Sequence, residues 1–143
     1  MPESGQIALA MGAAFSVLAA LAHLACIAYG PRAYRFMGAG EKMARAVEAG
    51  RVRPHVVTLV ISAALLMAAA YALSGAGFVG RLPFIKVVLV AITAVYLGRA
   101  FFFPLVRRAL PENSTTFWLV SSAICLVIGL VHAFGLAQVW ATL

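Results

Sequence analysis

Four long apolar runs make up most of this 143-residue chain, in which 64% of the residues are hydrophobic. The runs are Gln6–Tyr29, His55–Gly77, Pro83–Phe103 and Thr115–Trp140. A helix needs about 20 mostly apolar residues to cross a hydrocarbon core about 30 Å thick, and each run meets that length. The sequence therefore predicts an all-α integral membrane protein, a four-helix bundle with up-down topology. Four spans and three short connections leave no room for a soluble core, so we expect one domain over residues 1–143.

The basic residues are concentrated in two of the three connections. The first connection contains Arg32, Arg35, Lys42, Arg45, Arg51 and Arg53, and the third contains Arg107 and Arg108. The second has only Arg81. Because Lys and Arg accumulate on the cytoplasmic side of membrane proteins, we expect connections one and three inside and both termini outside. The net charge of +7 then reflects topology, and nucleic acid is not an expected partner.

The chain has no Lys or Arg before Arg32. The basic n-region of a signal peptide is therefore missing, and the first run is expected to remain as a span. The alanine-rich spans and the compact plan favour a bacterial inner membrane.

The first connection is expected to be the only one with its own structure. Gly40–Gly50 reads as a short helix in which Glu41 can pair with Arg45 at i,i+4. Met43 and Val47 share one face of this helix, and charged residues occupy the rest. Such a helix can lie in the headgroup layer, so the sequence predicts a short interfacial helix in the first cytoplasmic connection.

The other two connections are predicted to be irregular. Ser74–Leu82 contains three glycines and reads as a tight outer hairpin. In the third connection Pro104 is expected to end the third span, and Asn113 or Ser114 can cap the fourth.

Small residues form stripes on the first and fourth spans. The stripes are Gly12, Ser16, Ala19 and Ala20, continued by His23, and Ser121, Cys125 and Gly129, continued by His132. Small residues at helical spacing allow close helix approach in lipid. Both histidines are therefore expected to point into the bundle.

An ionisable residue inside a membrane is a functional candidate. The candidate ligand-binding residues lie near the inner ends of the spans: His23, Tyr29, His55, Tyr96 and Arg99. They could surround one basic, aromatic cavity that opens to the cytoplasm and favours an anionic or amphipathic ligand. The alternatives are that Arg99 extends to the headgroups, that His55 lies in the interface and that His23 is a packing residue. His132 and Lys86 are further intramembrane polar residues outside this group.

Other chemistries have little support in the sequence. His132 lies too far from the depth of His23 for both to hold one haem iron. The spans contain no Asp or Glu, which argues against cation-coupled transport. Cys26 and Cys125 are isolated and read as small apolar filler. We therefore expect no catalytic residues, no metal ligands and no cofactor.

The architecture resembles the membrane-associated eicosanoid and glutathione metabolism proteins. The resemblance rests on length, four spans, a basic first connection, Arg45-Ala46 before Pro54, and Gly98-Arg99 near the end of the third span. This chain reads Val47–Arg53 where the family has its hallmark Asn and Glu. The resemblance implies a membrane enzyme in which Arg99 and Tyr96, with arginines of the first connection, bind an anionic cosubstrate such as glutathione.

Three hypotheses follow from the sequence. The leading one is a small non-enzymatic bundle that binds or helps to move an amphipathic or anionic small molecule, or acts as an accessory subunit. The second is the enzyme implied by the resemblance. The third is a structural scaffold without a ligand. The lipid bilayer is the expected partner in every case, and homo-oligomers are compatible with each.

Overall fold

The computed structural model of the protein describes residues 2–109 and 111–143, and within these ranges it contains helices and no strand. In chain order the helices are α1 (Pro2–Tyr29), α2 (Pro31–Phe36), α3 (Glu41–Glu48), α4 (Arg53–Gly75), α5 (Ile85–Phe101), α6 (Phe103–Ala109) and α7 (Thr115–Val139). The expectation of an all-α protein is confirmed.

Over the described ranges, three helices are long and apolar enough to cross a membrane. The qualifying segments are Glu3–Tyr29, Arg53–Gly75 and Thr115–Val139, with mean hydropathies of 2.0, 2.3 and 2.2. Their outward faces are apolar too; Leu18 and Val60, for example, are each more than 60% exposed. Apolar surface of this extent is expected against lipid rather than water. The structure is therefore that of a membrane protein with three or four candidate spans.

The third apolar run differs from the prediction. α5 ends at Phe101 and is followed by α6 after a bend of 70°. A fourth candidate span is therefore present only if α5 and α6 are counted together as one span. α5 alone has 17 residues, about 26 Å at 1.5 Å per residue. The third connection was expected to be irregular and instead contains α6. Pro104 does not simply end the span; it lies in the first turn of α6, where its missing N–H costs nothing.

The long helices pack as antiparallel neighbours. α1 lies against α4 and α7, and α7 lies against α5. A Cβ atom built on Gly12 would be 2.6 Å from His132 Cε1, and one built on Gly129 would be 2.7 Å from Leu97 Cδ2. These contacts require glycine, so the small-residue stripes do bring helix backbones together as the sequence predicts. The core between them contains Ala13, Ala69, Ala72, Ile85, Leu89 and Leu136.

The first connection folds onto the bundle. α1 ends at Tyr29 because Gly30 adopts a φ of 71°, and α3 begins after Gly40 at a φ of 91°, a region open mainly to glycine. Tyr34 and Ala44 are buried together with Cys26 of α1. The expected short helix is present over Glu41–Glu48.

The apolar face of α3 contacts protein. Met43 and Val47 pack against the cluster of Cys26, Tyr34 and Ala44, so this face serves to hold α3 on the end of α1. Asn113 Nδ2 donates to Gly38 O at 3.0 Å and connects the third connection to the first. We call the end of the bundle that carries α2, α3 and α6 the basic end.

Candidate functional site: Arg99 on the first turns of α7

Arg99 turns into the bundle and lies across the first turns of α7. It is half-buried, and its Cζ lies 5.0 Å from the centre of the Trp118 ring. Its Nη2 donates to Ser121 Oγ at 3.1 Å. The guanidinium is therefore held by a cation–π contact and one hydrogen bond to a neutral hydroxyl.

The other terminal nitrogen of Arg99 is buried without a partner. Within the described part of the chain, Nη1 has no hydrogen bond, although every guanidinium N–H is an obligatory donor. The chain's carboxylates are Glu3, Glu41, Glu48 and Glu112, and none lies on α5 or α7. The contacts that this half-buried cation makes among the described residues, to Trp118 and Ser121, are with neutral groups.

Two further buried donors on the same stretch of α7 are also unpaired. Trp118 is 1% exposed and Ser122 is 7% exposed, and neither Trp118 Nε1 nor Ser122 Oγ has a partner among the described residues. The two residues are four apart in a helix, so they share one face. Arg99 contacts Trp118 and Ser121, which directly precedes Ser122, so its guanidinium lies beside the same two turns of α7. We refer to Arg99, Trp118 and Ser122 as the donor cluster.

Ser122 of the donor cluster contrasts with four other buried hydroxyls of the bundle. Ser16, Thr58, Ser62 and Thr93 each donate to the carbonyl four residues earlier, at 2.8 to 2.9 Å. That bond is available to any serine inside a helix. Ser122 does not make it, which leaves its hydroxyl free to meet a group from outside α7.

His23 lies at the depth of the donor cluster. Gly5 is next to Gln138, Leu9 next to Gly135, and Gly12 next to His132. If this antiparallel pairing of α1 with α7 continues along both helices, one residue of α1 for each residue of α7, His23 is level with Ser121. The only hydrogen bond recorded for His23 runs from its Nδ1 to Ala19 O at 2.7 Å, and none joins it to Arg99 within the described ranges. The prediction that these two side chains border one pocket remains a prediction.

Tyr96 belongs to a different polar group, deeper in the bundle. Its hydroxyl is 2.8 Å from Ser16 Oγ, and its ring centre is 5.4 Å from that of His132. Ser16 already donates to Gly12 O, so the tyrosine is the donor in the Ser16 pair. His132 is fully buried, with Nδ1 on Ile128 O at 2.9 Å and Nε2 unpaired among described atoms.

The remaining candidates are spread over both ends. Tyr34 Oη is 3.0 Å from His55 Nδ1 and 3.2 Å from Thr58 Oγ1, and these contacts fix α2 to the start of α4. Tyr29 is 78% exposed at the end of α1. Lys86 lies at the opposite end of the bundle, with Nζ 5.0 Å from the Trp140 ring centre.

Of the predicted site residues, then, the structure joins Tyr96 to His132 and directs Arg99 to α7. Among the residues that the structure describes, no hydrogen bond or ring contact connects His23, His55 or Tyr29 to either group. Sequence reasoning missed Trp118 and Ser122. Their spacing on one face of the fourth span was a usable signal, but only the packing of α5 on α7 brings Arg99 over them.

Comparison of the chain with protein-family models, with curated proteins and with solved structures found no match.

Proposed function

We propose that this protein is a four-span inner-membrane bundle, with both termini outside, that binds or helps to move an anionic amphipathic molecule without transforming it. In this proposal the bent pair α5–α6 supplies the fourth crossing, and α3 lies at the membrane surface. The up-down order is supported by the antiparallel contacts of α1 with α7 and of α5 with α7.

The proposed orientation rests on charge. The basic end carries the arginines of the first connection and of α6, while Arg81 and Lys86 lie at the other end. Lys and Arg near span ends favour the cytoplasmic side. A basic cytoplasmic end would also attract anionic lipids and raise their local concentration near the bundle.

The binding proposal rests on a single observation: Arg99 turns into the bundle and keeps Nη1 buried and, as far as the described residues go, unpaired. An arginine within a membrane span normally pairs with an acid, a carbonyl or water, because an uncompensated charge in an apolar setting is costly. A bound anion would supply that compensation. An anion that reaches this depth in a membrane needs an apolar part, so the proposed ligand is amphipathic.

Native mass spectrometry of protein released from bacterial membranes tests this proposal. We expect the wild-type protein to retain an anionic amphipathic molecule and Arg99→Gln to lose it. Arg107→Gln is the matched control, because Arg107 is exposed on α6 and donates to Thr115 Oγ1 at 3.1 Å; this variant should retain the molecule. Equal retention by wild type and Arg99→Gln, or none by the wild type, would refute the proposal.

A further inference from the structure

The donor cluster also limits the chemistry of the ligand. We infer that Arg99, Trp118 and Ser122 together hold the headgroup of a lipid-borne, singly charged oxyanion. This inference rests on the proposed function and deepens it, because it assigns two new binding residues and a headgroup class.

The first step is the type of group required. Nη1 of Arg99 and Nε1 of Trp118 can only donate, and the Ser122 hydroxyl is a free donor as well because it does not bond to its own helix. Donors left buried without acceptors each destabilise the structure. The complementary headgroup therefore presents several acceptor oxygens close together.

The second step is the charge of that headgroup. Arg99 is the only Lys or Arg between Lys86 and Arg107, and Trp118 and Ser122 are neutral donors. One guanidinium compensates one negative charge, and its planar fork suits two oxygens of one group. A carboxylate or a phosphodiester has this charge and these oxygens.

The third step is the route to the site. Leu97 of α5 lies against Gly129 of α7, and the two helices run antiparallel. When α5 ends at Phe101, about ten residues of α7, or roughly 15 Å of helix, still remain between that level and the start of α7 at Thr115. Below that level α6 bends away by 70° and has no buried residue. The inner turns of α7 therefore lack a full fourth helix, and Arg99 itself covers them.

The surroundings of that level are apolar. Phe101 and Phe102, at the bend, are 66% and 61% exposed. A ligand that approaches between the α5–α6 bend and the start of α7 would thus enter laterally from the bilayer. Its acyl chain would stay in lipid, and its headgroup would contact the donor cluster. The common chemistry is a monoanionic oxygen headgroup on an acyl chain, and its source is either a free fatty acid or an anionic phospholipid.

Trp118 is a built-in reporter for this site. The chain has two tryptophans, so Trp140→Phe leaves Trp118 as the only one. The Trp140→Phe protein would be reconstituted in phosphatidylcholine vesicles and titrated with chain-brominated fatty acid, phosphatidylglycerol, phosphatidylcholine and fatty alcohol, since bromine quenches nearby tryptophan fluorescence. We expect saturable quenching by the fatty acid or the phosphatidylglycerol, whichever is the source, and none from the neutral and zwitterionic probes beyond random lipid contact.

Variants in this background separate the inference from the proposed function. Arg99→Gln should weaken the anionic probe about tenfold or more, and Ser122→Ala about three- to tenfold. Ser62→Ala is the matched control, since that hydroxyl donates to Thr58 O in its own helix, with a longer contact to Ala20 O of α1, and it should leave probe binding unchanged. Arg99→Lys retains the charge and guards against misfolding; it should bind better than Arg99→Gln.

The outcomes divide cleanly. Loss with Arg99→Gln but not with Ser122→Ala would overturn the donor cluster as the headgroup site and leave the proposed function standing. Equal quenching by the acid and the alcohol, unchanged in Arg99→Gln, would overturn both.

Discussion

At the scale of single residues, the bundle satisfies most of its buried polar groups inside their own helices. Ser16, Ser62 and Thr93 donate to carbonyls one turn earlier. The Nδ1 atoms of His23 and His132 are likewise hydrogen-bonded to the carbonyl oxygen one turn earlier. These bonds need no partner helix, so a polar residue in a span is by itself weak evidence of a site. The atoms that remain unpaired are the informative ones, and only coordinates reveal them.

Gly12 gives the sharpest residue-scale prediction. A Cβ atom at this position would lie 2.6 Å from His132 Cε1 and 2.8 Å from Nδ1, and the imidazole is fully buried and hydrogen-bonded to Ile128 O. We expect Gly12→Ala to destabilise the protein by about 1–3 kcal/mol, measured as a lower midpoint of thermal unfolding in detergent.

Two further variants control the Gly12 experiment. Gly80→Ala adds the same methyl group where nothing lies within 4 Å and should leave the midpoint unchanged. In the double variant Gly12→Ala with His132→Ala the clash is gone, so the two effects should not add. Additive losses would show that Gly12 does not contact His132 as described.

At the scale of elements, α2 and α3 are joined by an ion-pair group centred on Glu41. Arg35 donates from Nε and Nη2 to the two Glu41 oxygens at 2.9 Å each, and Arg45 Nε donates to Glu41 at 3.1 Å. Arg35 also pairs with Glu48 at 2.9 Å. These hydrogen bonds lower the pKa of Glu41 from its usual 4.5 to about 2 and raise that of Arg35. Pairing within α3 follows from i,i+4 spacing, whereas the link to Arg35 depends on the turn at Gly38–Gly40.

The lowered pKa of Glu41 predicts how this connection responds to acid. A carboxyl group with a depressed pKa in the folded protein stabilises the fold above its unfolded pKa, and that contribution is lost as the pH falls through the folded value. We therefore expect α3 to exchange its amide hydrogens faster as the pH drops from about 4.5 to 2, after correction for intrinsic exchange. Glu41→Gln should show this faster exchange already at neutral pH, while Glu112→Gln should not. Unchanged protection of residues 41–48 in Glu41→Gln would contradict the role of this group.

The elements also show what the sequence could and could not predict. Hydrophobic length alone located α1, α4 and α7 to within a few residues, and Ser114 caps α7 as expected, accepting from Phe117 N at 3.0 Å. The prediction for the third apolar run was wrong at its end, because Pro104 was expected to end the helix. α5 instead ends earlier, at Phe101, and Pro104 follows Phe103 in the first turn of α6, where its missing N–H costs nothing. The donor cluster was not predictable, since it depends on which α7 face the shortened α5 meets.

At the scale of the whole molecule, the two ends differ in charge, and this difference makes the proposed orientation testable. Arg108 lies on α6 at the basic end, and Gly80 lies in the α4–α5 connection at the other. Because basic connections are retained on the cytoplasmic side, Gly80 should face outward and Arg108 inward. With Cys26 and Cys125 replaced by alanine, Gly80→Cys should react with a membrane-impermeant maleimide on intact cells. Arg108→Cys should react only after the membrane is permeabilised. The reverse pattern would invert the bundle and move the donor cluster to the outer leaflet, where the ligand would be drawn from a different lipid pool.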